Sequence, residues 1–184
     1  MAVKDMAGLN TRKFKELVLY IAHRCKDDDT FGAVKLNKIL YYSDFEAYRR
    51  LGNSITWAIY QHLDEGPAPI EFLGIKDALI EEEAIVYEYI QYHNYQQHRI
   101  ITKRQPRTDL FTKDELEIVD CVIDRLWHLN ASQVSALSHQ EIGWMATSTG
   151  EEIPYTYSWI AAAPPTDRQI AKARELEKLD QGRD

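Results

Sequence analysis

The sequence predicts an α+β fold that is mostly helical: a single domain built round a buried central helix, with a small antiparallel β-hairpin at one side. Three observations support this prediction. Apolar residues recur at helical spacing in several segments of the 184-residue chain. One of these segments, residues 35–51, is apolar on most of its circumference, as expected of a helix surrounded by other elements. Apolar and polar residues alternate around residues 85–102, which is typical of paired strands.

Length and composition are those of an ordinary globular domain. Hydrophobic residues are 45% and charged residues 28% of the chain, so a core can form without disulfides. The net charge of −7 disfavours a dedicated nucleic-acid binder, whose affinity comes largely from Lys and Arg, and no direct nucleic-acid contact is expected.

The charge is unevenly distributed along the chain. Residues 1–50 carry ten basic and seven acidic side chains, whereas residues 51–184 carry twelve basic and twenty-two acidic ones. An acidic body suits a basic partner, because opposite charges speed encounter, but it serves solubility equally well.

Two features indicate a reducing compartment. Cys25 and Cys121 are too few for a secreted disulfide framework, and each lies on an apolar stripe where we expect a small buried hydrophobe. Residues 1–10 have no apolar signal core, and no apolar run approaches the roughly 20 residues of a membrane span. The sequence therefore predicts a cytoplasmic protein with no membrane partner.

The first two helices follow from apolar spacing and a cap. Asn10 is a favourable cap for a helix over residues 11–26, and the central helix is predicted over residues 35–51, ending at Gly52-Asn53. The side chains of the central helix expected to reach water are Lys35, Lys38, Glu46, Arg49 and Arg50.

The middle of the chain mixes strands, a loop and a helix. We expect a short strand at residues 55–60, an irregular loop at residues 64–69 because of its two prolines, and a third helix at residues 70–81. Residues 85–90 and 99–102 then predict a hairpin with a longer connection.

The last third of the chain predicts three more helices. Thr112 and Glu115 match a capping box that begins a helix ending near Asn130, and residues 132–141 form the next helix. After Ile153-Pro154-Tyr155, expected to be extended, a further capping box at residues 166–169 opens a charged, peripheral helix.

Motifs that carry chemistry are lacking in the sequence. It contains no Gly-x-Ser-x-Gly elbow, no glycine-rich phosphate loop and no His or Cys pairing typical of a metal site. We therefore predict no catalytic residues, no cofactor and no metal. A hydrolase using His139 and Glu141 stays open as an alternative.

Two features indicate an interaction surface instead. The central helix ends on Tyr48-Arg49-Arg50, and the rigid loop Gly66-Pro67-Ala68-Pro69 follows shortly after it. Tyr and Arg are favoured at protein interfaces. Composition and spacing alone leave this interpretation level with the simpler one, in which the aromatic residues are core and the loop is only a turn.

Several further motifs follow one another in a fixed order along the chain. They begin with Lys35 to Asp44 and continue through Leu51 to Thr56 and Gly66 to Pro69. The downstream motifs are Phe111 to Leu116, Leu137 to Glu141 with Trp144, and Glu152 to Tyr155. In this order the motifs resemble the Panacea domain, the SocA-like antitoxin family, over about residues 10–160. One departure is Trp57, where members of the family often have a small residue.

The resemblance implies a non-enzymatic antitoxin that neutralises a cognate bacterial or phage toxin by direct protein–protein binding. It implies that the toxin is encoded by an adjacent gene, with delivery to a cytoplasmic protease as a further role and a homodimer left open. The alternative is a phage-associated regulator or assembly protein. The chain then divides into an N-terminal tail (1–10), the Panacea-like domain (11–160) and the charged C-terminal helix (161–184).

We expect the toxin contacts on the proline loop and on the exposed flank of the central helix. We expect His139 and Trp144 to form a buried polar network that ties the last helix to that loop. The predicted partner-binding residues are Asp64, Glu65, Gly66, Pro67, Pro69, Tyr48 and Arg50.

Overall fold

The computed structural model describes residues 8–92 and 95–160, which form six α-helices and two antiparallel strand pairs. The mostly helical α+β class is therefore confirmed. The helices are α1 (Thr11–Arg24), α2 (Ala33–Leu51), α3 (Phe72–Glu81), α4 (Lys113–Leu126), α5 (Ala131–Ser138) and α6 (Ile142–Met145). The strands are β1 (Tyr60–Gln61), β2 (Ala68–Pro69), β3 (Ile85–Tyr92) and β4 (Tyr95–Thr102), and short 3₁₀ helices lie at Thr108–Leu110 and Tyr155–Trp159.

Helix α2 is the centre of the fold, as predicted. It packs against α1, α4, α5, β2, β4 and the 3₁₀ helix Tyr155–Trp159. Its residues Leu36, Ile39, Leu40 and Tyr41 are all at most 3% exposed. The helix ends at Gly52, whose left-handed φ of 76° is readily adopted by glycine.

Two of the five α2 side chains predicted to reach water are buried instead. Lys35 and Lys38 are each 1% exposed. The Lys35 ammonium donates to Asp28 Oδ2 at 2.6 Å, Thr30 Oγ1 at 2.9 Å and the Trp127 carbonyl at 2.7 Å. The prediction was wrong because the atoms that accept hydrogen bonds from the lysine side chains belong to other segments of the chain. Apolar spacing within one helix cannot reveal such partners.

The β-hairpin is confirmed, but its strands are longer than predicted and the expected longer connection was wrong, because pairing continues to Tyr92 and Tyr95. Strands β3 and β4 pair in register from Ile85 with Thr102 to Tyr92 with Tyr95. Strand β4 packs on α1 and β3 on α3, so the hairpin lies at one side of the helical core.

The neighbouring strand prediction was wrong in its bounds. Only Tyr60–Gln61 is a strand, and it pairs with Ala68–Pro69 inside the loop that we expected to be irregular. The outer side of β1 forms a bridge from Gln61 to Glu152, whereas Pro69 lies on β2, and a proline is compatible with such an edge strand.

The capping box of Thr112 and Glu115 is confirmed. Helix α4 ends at Leu126, however, and Asn130 begins α5 by accepting a hydrogen bond from the Gln133 amide. Cys25 is buried as expected, and burial raises the pKa of its thiol to about 12. The same prediction was wrong for Cys121, which is exposed because it lies on the outer face of α4, next to the inward-facing Val122.

The capping box predicted at residues 166–169 and the helix predicted over residues 161–184 lie outside the described residues. Of the helices that the structure does describe, none has both the length and the apolar character needed to cross a membrane.

Candidate functional site

The segment that follows α2 is held in place by a buried carboxylate. Asp44 is completely buried and accepts hydrogen bonds from the Ser54 hydroxyl at 2.7 Å, the Thr56 amide at 2.9 Å and the Tyr60 hydroxyl at 2.8 Å. The Thr56 hydroxyl is a fourth donor. Burial raises the pKa of Asp44 and these donors oppose the increase. The network fixes residues 54–60 as a rigid loop.

Trp57 occupies the middle of this loop in a left-handed conformation. Its φ is 58°, which costs a bulky L-residue about 1–3 kcal/mol. Its amide donates to the Ser54 hydroxyl at 3.1 Å, and the next carbonyl, that of Ala58, accepts from the Tyr155 hydroxyl at 2.7 Å. The hydrogen bonds on both sides therefore maintain a backbone conformation that tryptophan itself disfavours.

The Trp57 ring belongs to a cluster that we call the aromatic patch: Tyr48, Trp57, Tyr155 and Trp159. Ring centroids lie 5.7 Å apart for Tyr48 and Trp57, 5.6 Å for Trp57 and Tyr155, and 4.9 Å for Tyr48 and Trp159. Trp159 is 57% exposed. The patch therefore presents aromatic surface to solvent at the C-terminal end of α2.

Sequence analysis found one residue of this patch and missed three. Tyr48 was a predicted site residue, and the neighbouring Arg50 is exposed as expected of a contact residue. Trp57, Tyr155 and Trp159 were missed because two distant segments must fold together to form the patch. The departure from a small residue at Trp57 was the one available signal.

The proline loop presents less surface than its sequence suggests. Gly66, Pro67 and Pro69 are buried, whereas Asp64 and Glu65 are exposed. Gly66 has a φ of 90°, and a Cβ there would clash with the Ser138 hydroxyl and with Lys38 Cε at 2.8 Å. Glycine is therefore required for close packing against α2 and α5.

The two predicted parts of the binding site lie at different places along α2. Lys38 Nζ donates to the Pro67 carbonyl at 2.9 Å, so the proline loop sits over the middle of the helix. Tyr48 is ten residues further on, which corresponds to about 15 Å along the axis. The structure does not bring Asp64 and Glu65 together with Tyr48 and Arg50 in one cluster.

The cluster of His139 and Trp144 differs from the buried polar network that was predicted, because the two rings stack on each other and are only partly buried. The His139 and His62 rings stack on Trp144 with centroids 4.1 Å and 4.2 Å away. Trp144 Nε1 donates to the Leu63 carbonyl at 3.2 Å, which ties this cluster to the segment before the proline loop. Nε2 of His139 is buried and has no hydrogen-bond partner in the described part of the chain.

The arrangement does not assemble the alternative hydrolase site. His139 stacks on Trp144, whereas Glu141 lines a separate pocket with Tyr42 and Arg125. Across residues 8–92 and 95–160, no hydrogen bond joins the two side chains, and no cluster of three or more His, Cys, Asp or Glu residues could hold a metal ion.

Comparison with known proteins identifies the family. The family model for the antitoxin SocA-like, Panacea domain matches residues 36–145, from the first turn of α2 to the end of α6. Neither curated proteins nor solved structures gave a significant match. The match covers more than half of the chain, and the protein therefore belongs to the SocA-like antitoxin family with a Panacea domain.

Proposed function

We propose that this protein neutralises a cognate bacterial or phage toxin by covering the toxin's active surface with the aromatic patch. Membership in an antitoxin family supports a toxin as the partner in general. The mode of binding is supported by the patch itself. The proposal includes a toxin encoded by an adjacent gene and a complex that forms in the cytoplasm.

The observation that carries the proposal is the conformation of Trp57. Its backbone φ of 58° would be relieved by glycine, so stability alone does not favour tryptophan at this position. Strained residues of this kind cluster at functional sites. The strained conformation places a large ring beside Tyr48 and Tyr155. Contact between this ring and a bound partner would explain why tryptophan occupies the position.

The surroundings of the patch suit a protein partner. Tyr, Trp and Arg dominate binding energy at protein interfaces, and the patch offers them together with the exposed Arg50. Leu51 is 38% exposed and extends the apolar area. The acidic excess of residues 51–184 would speed encounter with a basic toxin in a salt-dependent way. Asp64 and Glu65, on the proline loop further back along α2, remain proposed as a second contact region separate from the patch.

The proposed activity makes and breaks no covalent bond. The separation of His139 from Glu141 supports binding over hydrolysis. Delivery of the toxin to a cytoplasmic protease is a further proposal. It predicts that growth rescue fails in cells that lack the protease, whereas neutralisation by occlusion persists there.

The test is co-expression with the protein encoded by the neighbouring gene, scored by growth rescue and co-purification. Trp57→Gly removes the ring and relieves the backbone, so we expect a folded variant whose affinity for the toxin falls tenfold or more. Tyr89→Ala is the matched control, because Tyr89 is an exposed aromatic residue on β3, 64% accessible, outside the patch.

Two outcomes would contradict the proposal. In the first, the native protein neither rescues growth nor co-purifies with the neighbouring gene product. In the second, Trp57→Gly binds the toxin as tightly as the native chain, which would remove the patch from the interface.

A further inference from the structure

A small pocket lies beside the aromatic patch, on the other side of the 3₁₀ helix Tyr155–Trp159. Tyr157 and Ser158 form one wall, and α2, the end of α4 and residues 141–143 form the others. Its volume is about 190 Å³. Pockets that hold small-molecule ligands are typically about 300–1,000 Å³, so this one has room for a single side chain.

The charged groups around the pocket are unequally neutralised. Arg49 donates to both carboxylate oxygens of Glu46, so these two charges satisfy each other. Arg125 is exposed, and its guanidinium carbon lies 4.6 Å from the centre of the Tyr42 ring.

Glu141 differs from these groups. It is partly buried and forms no ion pair within the described residues. Burial raises the pKa of Glu141, while the nearby Tyr42 hydroxyl and Arg125 act in the opposite direction. Glu141 is thus a partly desolvated anion that interacts with Arg125 through charge but has no cation within ion-pair distance among the described residues.

Two buried hydroxyls add unused hydrogen-bonding capacity. The Tyr42 hydroxyl lies near Glu141, but neither it nor the Ser158 hydroxyl makes a hydrogen bond of normal geometry in the described structure. Tyr42 is 6% exposed, so water does not readily satisfy it. Hydroxyl and carboxylate oxygens both accept hydrogen bonds, so the pocket favours a ligand rich in donors.

We infer that this pocket receives an arginine side chain of the toxin. A guanidinium carries a positive charge for Glu141, has five N–H donors for the carboxylate and hydroxyl oxygens, and stacks on aromatic rings such as that of Tyr157 in the pocket wall. The inference rests on the proposed function, since one partner would cover both the pocket and the aromatic patch. The alternation of patch residues Tyr155 and Trp159 with pocket residues Tyr157 and Ser158 supports a shared interface.

The first test uses N-acetyl-arginine methylamide as the probe and follows the backbone amide signals of Gly143 and Ser158 by NMR. We expect saturable shifts with a dissociation constant in the millimolar range, as for one isolated side chain. Glu141→Gln should weaken binding tenfold or more, because it removes the charge at nearly constant shape. Glu117→Gln is the matched control, since Glu117 is an exposed carboxylate on α4.

The neutral analogue N-acetyl-citrulline methylamide separates charge from shape. We expect it to bind at least tenfold more weakly than the arginine probe. Equal binding of the two probes, equal binding by Glu141→Gln, or no saturable shift at Gly143 and Ser158 would each overturn the inference.

The second test measures affinity for the toxin with the same two variants. Glu141→Gln should lose tenfold or more, and Glu117→Gln should bind like the native protein. Native affinity in Glu141→Gln would overturn the pocket inference and leave neutralisation by the aromatic patch standing. Failure of the native protein to bind the toxin would instead overturn the proposed function, and with it the assignment of the arginine to a toxin.

Discussion

The buried part of α2 and its last turn differ in the environment of their polar side chains. In the buried part, Lys35 donates three hydrogen bonds and Asp44 accepts four, so both charged groups are enclosed by polar partners. In the last turn, Tyr48 joins an aromatic patch at the surface and Arg50 is exposed to solvent. One helix therefore supplies buried polar contacts along most of its length and the proposed binding surface at its end.

A second difference lies inside the buried part. Lys35 uses all three N–H donors and faces the buried Asp28 carboxylate. Lys38 is equally buried but donates to a single carbonyl, that of Pro67. Equal burial does not imply equal contribution to stability, because what matters is whether the charge is matched.

The largest expected effect on stability comes from Lys35→Met. This variant keeps the aliphatic volume but leaves Asp28 buried without its cation, and we expect a loss of about 3–5 kcal/mol in the free energy of unfolding. Urea unfolding followed by circular dichroism measures the change. A loss below about 1 kcal/mol would show that the buried pair is not the source of stability in this part of α2.

Asp44→Asn should have the next largest effect. The amide keeps one acceptor oxygen and places an NH₂ group against two of the four donors, which costs about 2–4 kcal/mol. Asp109→Asn is the control, because its carboxylate is 66% exposed and a surface change should stay within about 0.5 kcal/mol. If the two variants unfold at the same urea concentration, Asp44 does not hold the loop of residues 54–60.

Trp159→Ala tests the aromatic patch at the last turn of α2. The ring is 57% exposed and stacks on Tyr48, so its removal should cost about 1 kcal/mol of stability. The affinity of the Trp159→Ala variant for the toxin should fall tenfold or more. We therefore expect a small decrease in melting temperature and a large increase in the dissociation constant measured by titration with the toxin. A large loss of stability with unchanged affinity would show that the aromatic patch stabilises the fold and does not bind the toxin.

Lys38→Met should have the smallest effect near neutral pH, within about 1 kcal/mol. Loss of the hydrogen bond to Pro67 is offset because a poorly matched buried cation is removed. This variant is the matched partner of Lys35→Met, and equal losses in both would erase the difference between the two lysines.

The pH dependence of Lys38 sharpens the same contrast. Burial lowers its pKa from 10.5 to about 8 in the folded protein. Between these values the unfolded chain holds the proton and the folded chain releases it, so stability rises with pH. From pH 8 to about pH 9.5 the native protein should gain about 1–2 kcal/mol relative to Lys38→Met. Parallel curves for the two proteins would contradict this assignment.

Local signals predicted the elements whose physics is local. The Asn10 cap, the capping box of Thr112 and Glu115, and the alternation in the β3–β4 hairpin depend on residues close together in the chain, and all three are confirmed. The central position of α2 followed from its apolar circumference. The prediction of a strand over residues 55–60 was wrong, because Asp44 captures Ser54 and Thr56 and holds this segment as a loop.

The sequence by itself determined the helical class, the central helix and, through ordered motifs, the antitoxin family. Only the tertiary structure decided that Lys35 and Lys38 are buried, that Trp57 is left-handed, and that Glu141 lines a pocket apart from His139. The physical reason is that burial and hydrogen bonding of polar groups depend on partners supplied by distant segments. A periodic pattern records which face of a helix is apolar, but not which oxygen or ring arrives from elsewhere in the chain.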